Sequence, residues 1–124
     1  MTGINQCETG RKAEQLVARY LTARGYRIWK TNWRWGRKEL DLVATHHGEL
    51  VIVEVKCSVE NQVNSPSEVV DQRKQRHIIL AAEAFIWLHN IKMPTRFDVI
   101  GVIYNSGHAK IEHIENAFLP GVEK

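Results

Sequence analysis

The stretch Glu39-Leu40-Asp41-Leu42-Val43-Ala44-Thr45-His46-His47-Gly48-Glu49-Leu50-Val51-Ile52-Val53-Glu54-Val55-Lys56 decides the fold. Leu40 to Ala44 and Leu50 to Val55 are strand-like apolar runs on either side of His46-His47-Gly48, which reads as a hairpin. Whether His47-Gly48 is a two-residue turn or His46 to Glu49 a four-residue loop, opposite residues carry numbers that sum to 95. Asp41 then faces Glu54, and Glu39 faces Lys56. Because side chains alternate, Glu39, Asp41, Glu54 and Lys56 share one face, while Leu40, Leu42, Ala44, Val51, Val53 and Val55 share the other. The second face is entirely apolar and belongs in the core.

Two carboxylates opposed across a hairpin, with Cβ atoms about 5 Å apart, repel each other and call for a compensating charge. A divalent cation supplies it: two carboxylate oxygens, a carbonyl and several waters make a typical Mg²⁺ site, and the waters can give way to substrate phosphate. Lys56, on the same face as Glu54, adds a positive charge able to orient an attacking water or to stabilise charge developing on phosphorus. This arrangement suits phosphodiester hydrolysis. The plainer alternative for Asp41, Glu54 and Lys56 is a solvent-facing charged ladder, and for Glu39 a cross-strand ion pair with Lys56. An acidic-x-Lys triplet alone decides nothing, since a chain of this length contains about one by chance. An acidic residue placed opposite it is the more specific signal.

Outward from the hairpin, Ala13, Leu16, Val17, Tyr20 and Leu21 recur at helical spacing from Gly10 to about Arg24, with Gly25 where a helix C-terminus favours glycine. Tyr26 to Trp33 reads as a short strand. Ser65-Pro66-Ser67-Glu68 has the form of an N-cap, a first-turn proline and a reciprocal Glu, predicting a helix through Ile78, Ala81, Ala82 and Phe85 to about His89, with Trp87 in the core. Arg96 to Tyr104 and Lys110 to Ile114 form a last pair of strands around Asn105-Ser106-Gly107. The order is α-β-β-β-α-β-β, an α/β fold with a mixed sheet flanked by helices. Asp98, on the strand after the Pro66 helix, either reaches the site or simply alternates with apolar neighbours.

The chain has 124 residues, 44% of them apolar and 25% charged, which fits one globular domain (1–124, core about 10–115) and excludes a disordered tail or a multidomain machine. Cys7 and Cys57 lie far apart, without the spacing of a zinc site, and a reducing compartment is expected. With neither a signal-peptide core nor an apolar run of spanning length, the chain reads as soluble and cytoplasmic, with no membrane partner. There is no Gly-rich phosphate loop, nucleophile elbow or Cys-His constellation, which argues against an NTPase, an α/β-hydrolase or a thiol enzyme.

The net charge of +3 is mild, but it is unevenly spread. Residues 1–38 carry nine basic side chains against Glu8 and Glu14, a local excess of +7, and the remainder carries −4. Trp29, Trp33 and Trp35 stand among Lys30, Arg34, Arg37 and Lys38; with Arg11 and Lys12 these cations make a nucleic-acid contact surface, the indoles being available to stack on unpaired bases. One or two of those tryptophans are expected in the core instead. Arg73, Lys74 and Arg76 offer a second place for a phosphate, or simply a wet helix face.

Asp41, twelve intervening residues, then Glu54-Val55-Lys56 resembles the D…ExK signature of restriction-endonuclease-like nucleases. More closely, Gly10-Arg11-Lys12-Ala13-Glu14, Glu39-Leu40-Asp41-Leu42-Val43, Val53-Glu54-Val55-Lys56 and Arg96-Phe97-Asp98-Val99-Ile100 resemble the bacterial YraN family, predicted endonucleases similar in their core to archaeal Holliday junction resolvases. The resemblance spans about Gly10 to Val102. It implies a restriction-endonuclease-like fold and a nuclease dependent on Mg²⁺ or Mn²⁺. Asp41, Glu54, the Val55 carbonyl and Glu14 would be metal ligands, and Lys56 the catalytic lysine. It implies DNA as partner, branched or otherwise structured, and a homodimer. Ala13 and Lys38 stand where the family usually has glycine. The rival reading is a catalytically silent nucleic-acid-binding module of the same fold; a third is a protein-interaction domain.

Overall fold

The first helix, α1 (Gln6–Ala23), is closed by a Schellman motif. Gly25 takes φ +90°, and the Gly25 and Tyr26 N–H groups donate back to the carbonyls of Thr22 and Leu21 at 3.1 and 3.0 Å. The computed structural model describes residues 6–59 and 70–119, with side chains from Gly10 onward. After α1 come β1 (Arg27–Trp35), β2 (Lys38–His46), β3 (Glu49–Val59), α2 (Gln72–Leu88), β4 (Thr95–Asn105) and β5 (His108–Ile114). The α-β-β-β-α-β-β order read from the sequence is the order observed.

The five strands lie in sequence order in one sheet, every neighbour antiparallel except β3 and β4. A parallel pair cannot be joined by a tight turn, so α2 sits in the crossover and covers one face while α1 covers the other. α1 buries Ala13, Val17 and Leu21, four residues apart, against Leu42, Ala44, Val51, Val53, Ile100 and Val102. α2 buries Ile78, Ala81, Ala82 and Phe85 against Val43, Leu50, Ile52, Phe97 and Val99. Both faces of β3 and β4 are therefore core, which explains their continuous apolar runs. Among the described residues, no helix is long and apolar enough to cross a membrane.

Three sequence expectations need correction. Trp87 is 80% exposed, not core. It lies two residues beyond buried Phe85, about 200° further round the helix, and so turns away from the sheet. The Ser65-Pro66 helix start falls outside the described residues, and the described helix begins later. Asp71 is extended (φ −76°, ψ 174°), caps the helix by accepting from the Lys74 N–H at 2.9 Å, and is preceded by buried, non-helical Val70. Leu40 does not share a face with Leu42: it packs with the α2 cluster, Leu42 with the α1 cluster. Across from this break lies Asn32, whose left-handed backbone (φ +51°) interrupts the alternation of β1.

Asp98 does not reach the hairpin acids. It pairs in register with Val53 and belongs to the face of Ile100 and Val102, under α1. It is fully buried and accepts from Arg96 Nε and Nη2 at 2.9 and 2.8 Å, His113 Nε2 at 2.7 Å and the Asn116 N–H at 3.2 Å. Arg96 also donates to the Tyr26 hydroxyl at 2.8 Å. Burial pushes the Asp98 carboxyl up, but the hydrogen bonds from His113, Arg96 and Asn116 more than offset it and hold it below its ordinary value. Asp98→Ala removes the acceptor of four hydrogen bonds from a buried position and leaves Arg96 with Glu49 at 3.3 Å, Glu115 at 3.9 Å and Tyr26, so urea unfolding should show a loss of roughly 3 kcal/mol; a loss below about 1 kcal/mol would show that Glu49 and Glu115 take over the guanidinium.

Candidate metal and nucleic-acid site

The β2–β3 hairpin turns through His47 (φ +49°) and Gly48 (φ +79°), both left-handed, with His46 opposite Glu49. This is a type I′ turn, whose twist matches that of the strands it joins. It fixes the register summing to 95, through Thr45–Leu50, Ala44–Val51, Val43–Ile52 and Leu42–Val53. There the ladder stops. One residue on, the Asp41 side chain occupies the gap: its Oδ2 accepts from the Val55 N–H at 2.9 Å, a donor that β2 backbone would otherwise have satisfied. A strand residue sends its N–H and C=O toward the same neighbour, so the Val55 carbonyl leaves the edge that faces Asp41.

Glu54 comes to the same point on β3, within hydrogen-bonding reach of the Asp41 carboxyl. It is 4% exposed, which rules out a solvent-facing ladder, and it continues the face of Leu50 and Ile52 toward α2. Lys56 Nζ and Lys74 Nζ each stand 3.6 Å from Glu54 Oε2. Burial, then the adjacent Asp41 charge, push the Glu54 carboxyl up to about 7 against the pull of Lys74 and Lys56. Two acids are thus held together at a cost that two ammonium groups only partly relieve.

Glu14 approaches from α1, half-buried, and accepts from Asn32 Nδ2 at 3.0 Å. Its carboxyl is raised by burial, opposed by the Asn32 hydrogen bond, and raised further by Asp41 and Glu39. Glu14 therefore senses the hairpin acids without joining them. Among the described residues, no three His, Cys, Asp or Glu side chains converge closely enough to hold an ion. The donors present are Asp41, Glu54 and the Val55 carbonyl edge. They are hard oxygens, and they fit Mg²⁺ or Mn²⁺, which keep several waters and need only one or two carboxylates.

Glu39 corrects another expectation. It lies opposite Arg34 on β1, not opposite Lys56, because β2 has already left β3. Of the cations expected at a nucleic-acid surface, Lys74 joins the acids directly. Lys30, Arg34 and Arg37 are exposed, and Lys38 half-buried, on the β1–β2 arm; Arg11 and Lys12 are exposed on α1. Sequence reading missed Asn32, whose left-handed turn and hydrogen bond position Glu14, although asparagine is the residue most tolerant of that backbone after glycine. It also missed the link between Lys74 and Glu54, which depends on how α2 lies across the sheet.

A family model described as uncharacterised protein family UPF0102, the group that contains YraN, matches residues 13–102. A UPF0102 protein of Parabacteroides distasonis is 41% identical over 113 residues, covering 91% of this chain and 93% of the relative. One of Porphyromonas gingivalis is 42% identical over 113 residues, covering 90% and 84%. One of Chlorobium chlorochromatii is 42% identical over 118 residues, covering 90% and 92%. None of these names states an activity.

The raised Glu54 carboxyl makes stability depend on pH. Folding favours its protonated form, so this contribution is fully present below the ordinary value of 4.5 and is lost as pH rises through about 7. Glu54→Gln keeps the neutral shape at every pH. In thermal unfolding without metal it should match wild type near pH 4 and exceed it at pH 8, by on the order of 2 kcal/mol. A variant less stable than wild type at pH 8 would show that the ionised carboxylate is welcome there.

Proposed function

The chain belongs to the UPF0102 family, and on that footing we propose that it is a divalent-metal-dependent nuclease that hydrolyses DNA phosphodiester bonds. The observation that carries this reading is the meeting of Asp41 with buried Glu54 where β2 and β3 separate, under two lysines. Asp41, Glu54 and the Val55 carbonyl would hold Mg²⁺ or Mn²⁺, with Glu14, held by Asn32, adding negative charge from α1 outside the direct ligand set. The bound ion would supply a Lewis acid for the phosphate and a more acidic water.

The residues of the chain divide the remaining work. Glu54 in its ionised form would be a ligand, and Asp41 is held in place by the Val55 N–H. Lys56, on the strand that carries Glu54, is placed to orient the attacking water or to stabilise charge developing on phosphorus. Lys74, no longer needed by Glu54 once a cation is bound, is free to meet a phosphate oxygen. The exposed cations of the β1–β2 arm seat the DNA backbone. Branched or structured DNA and a homodimeric state rest on the likeness to resolvases.

The second reading, a nucleic-acid-binding module without turnover, is favoured by the same lysines. With both ammonium groups 3.6 Å from Glu54, the site has counter-charge without an ion. Labelled linear, flapped, single-stranded and four-way DNA, incubated with Mg²⁺, Mn²⁺ or chelator, separates the two. We expect cleavage only with metal, its loss in Asp41→Ala with DNA binding retained, and a drop of about 100-fold or more in Lys56→Ala. Mg²⁺ should also raise the unfolding temperature of wild type and not of Asp41→Ala. Binding of DNA by a folded sample that cleaves none of these substrates would establish the silent module.

A further inference from the structure

The tryptophans of β1 are not distributed as a core strand would distribute them. Trp29, Trp33 and Trp35 are all placed on the α2 side, where Trp29 lies 6.2 Å and Trp33 5.2 Å from the Phe85 ring. Phe85 is fully buried, and Trp33 meets it edge-on, so the Trp33 indole is anchored in the body of the protein. Trp35 lies parallel to Trp33, with centroids 6.4 Å apart and planes within 6°, and is 47% exposed. The result is a stack that starts in the core and ends at the surface on an indole with nothing beyond it among the described residues.

Its position relative to the acids follows from the register. Trp33 pairs with Leu40 and Trp35 with Lys38, so Trp35 stands three β2 residues from Asp41, roughly 10 Å along the strand. The stack lies on the sheet face that also carries Glu54, since both meet α2. Lys38 is directly across from Trp35; Arg34, its neighbour in the chain, alternates to the other face opposite Glu39, and Arg37 lies in the turn that follows. From Arg27 to Lys38 there are five cations and no acid. A flat ring ending a stack, with a lysine across from it in a basic arm, is what a base with its phosphate would continue. In uninterrupted duplex both faces of a base are covered by its neighbours, so only an unpaired or terminal base can do so.

We propose that Trp35, stacked on Trp33, is a platform for an unpaired base of the DNA, and that it directs the Asp41–Glu54 site to single-stranded or splayed segments in preference to continuous duplex. The proposal rests on the nuclease reading for its second half only. Binding is therefore measured in chelator, where no cleavage is needed, by fluorescence anisotropy of a labelled oligothymidylate and of a blunt hairpin duplex of equal length. Trp35→Ala should weaken single-strand binding about tenfold and change duplex binding less than about twofold, and Trp35→Tyr should recover most of the loss. Lys38→Ala should weaken both and lower the salt slope by about one. Equal losses on both DNAs in Trp35→Ala, no loss on either, or no single-strand binding by wild type would overturn the platform. If Trp35 discriminates between the DNAs while no substrate is ever cleaved with Mg²⁺, the stacking stands and the nuclease reading falls. If cleavage occurs but Trp35→Ala leaves its preference among substrates unchanged, the nuclease reading stands and the directing role of Trp35 falls.

Discussion

The candidate site depends on a defect in a ladder. β2 and β3 are paired in register as far as Leu42 and Val53, and there a carboxylate replaces the backbone partner that Val55 would have had. Had the ladder continued, Asp41 and Glu54 would have projected from a regular hairpin as two more charged side chains. Because it stops, Asp41 turns into the plane of the sheet and Glu54 stays covered by α2 at the same point. The acids are close because the strands are not.

The protein holds two buried acids in opposite ways. Asp98 receives four hydrogen bonds from Arg96, His113 and Asn116, and its carboxyl is held below its ordinary value. It ties β4 and β5 together at the end of the sheet where α1 finishes. Glu54 has two ammonium groups at 3.6 Å and a second carboxyl beside it, and it is raised. One acid is satisfied by the fold, and the other is left wanting positive charge. That contrast, within adjacent strands of one sheet, is the reason Glu54 and not Asp98 is assigned to the proposed site.

The register, the turn and the element order were legible because they depend on local rules: apolar alternation, a His-Gly pair tolerant of positive φ, and glycine after α1. The register pointed Asp41 at Glu54, but as a regular cross-strand pair; the observed pairing ends one step earlier, at Leu42 and Val53, and the two acids meet in the gap. Other features needed information that no local pattern contains. Leu40 and Glu39 were misplaced because the alternation breaks opposite Asn32, and a single left-handed residue is not announced by its neighbours. Trp87 was misread by hydrophobicity when helical phase should have decided, since Phe85 already marks the buried side. Lys74 reaches Glu54 only because of how a helix lies on a sheet, a distance of sequence that periodicity does not measure.

Among the described residues β1 ends the sheet, with no strand beside its outer backbone groups. An open edge of this kind invites another chain to add itself, and positive side chains along it are one of the ways natural sheets refuse. Arg27, Lys30 and Arg34 put positive charge along that edge, which works against its pairing with the same edge of a second copy. Neutralising that row would take the charge away and leave a tryptophan-rich strand open to pairing with its own copy.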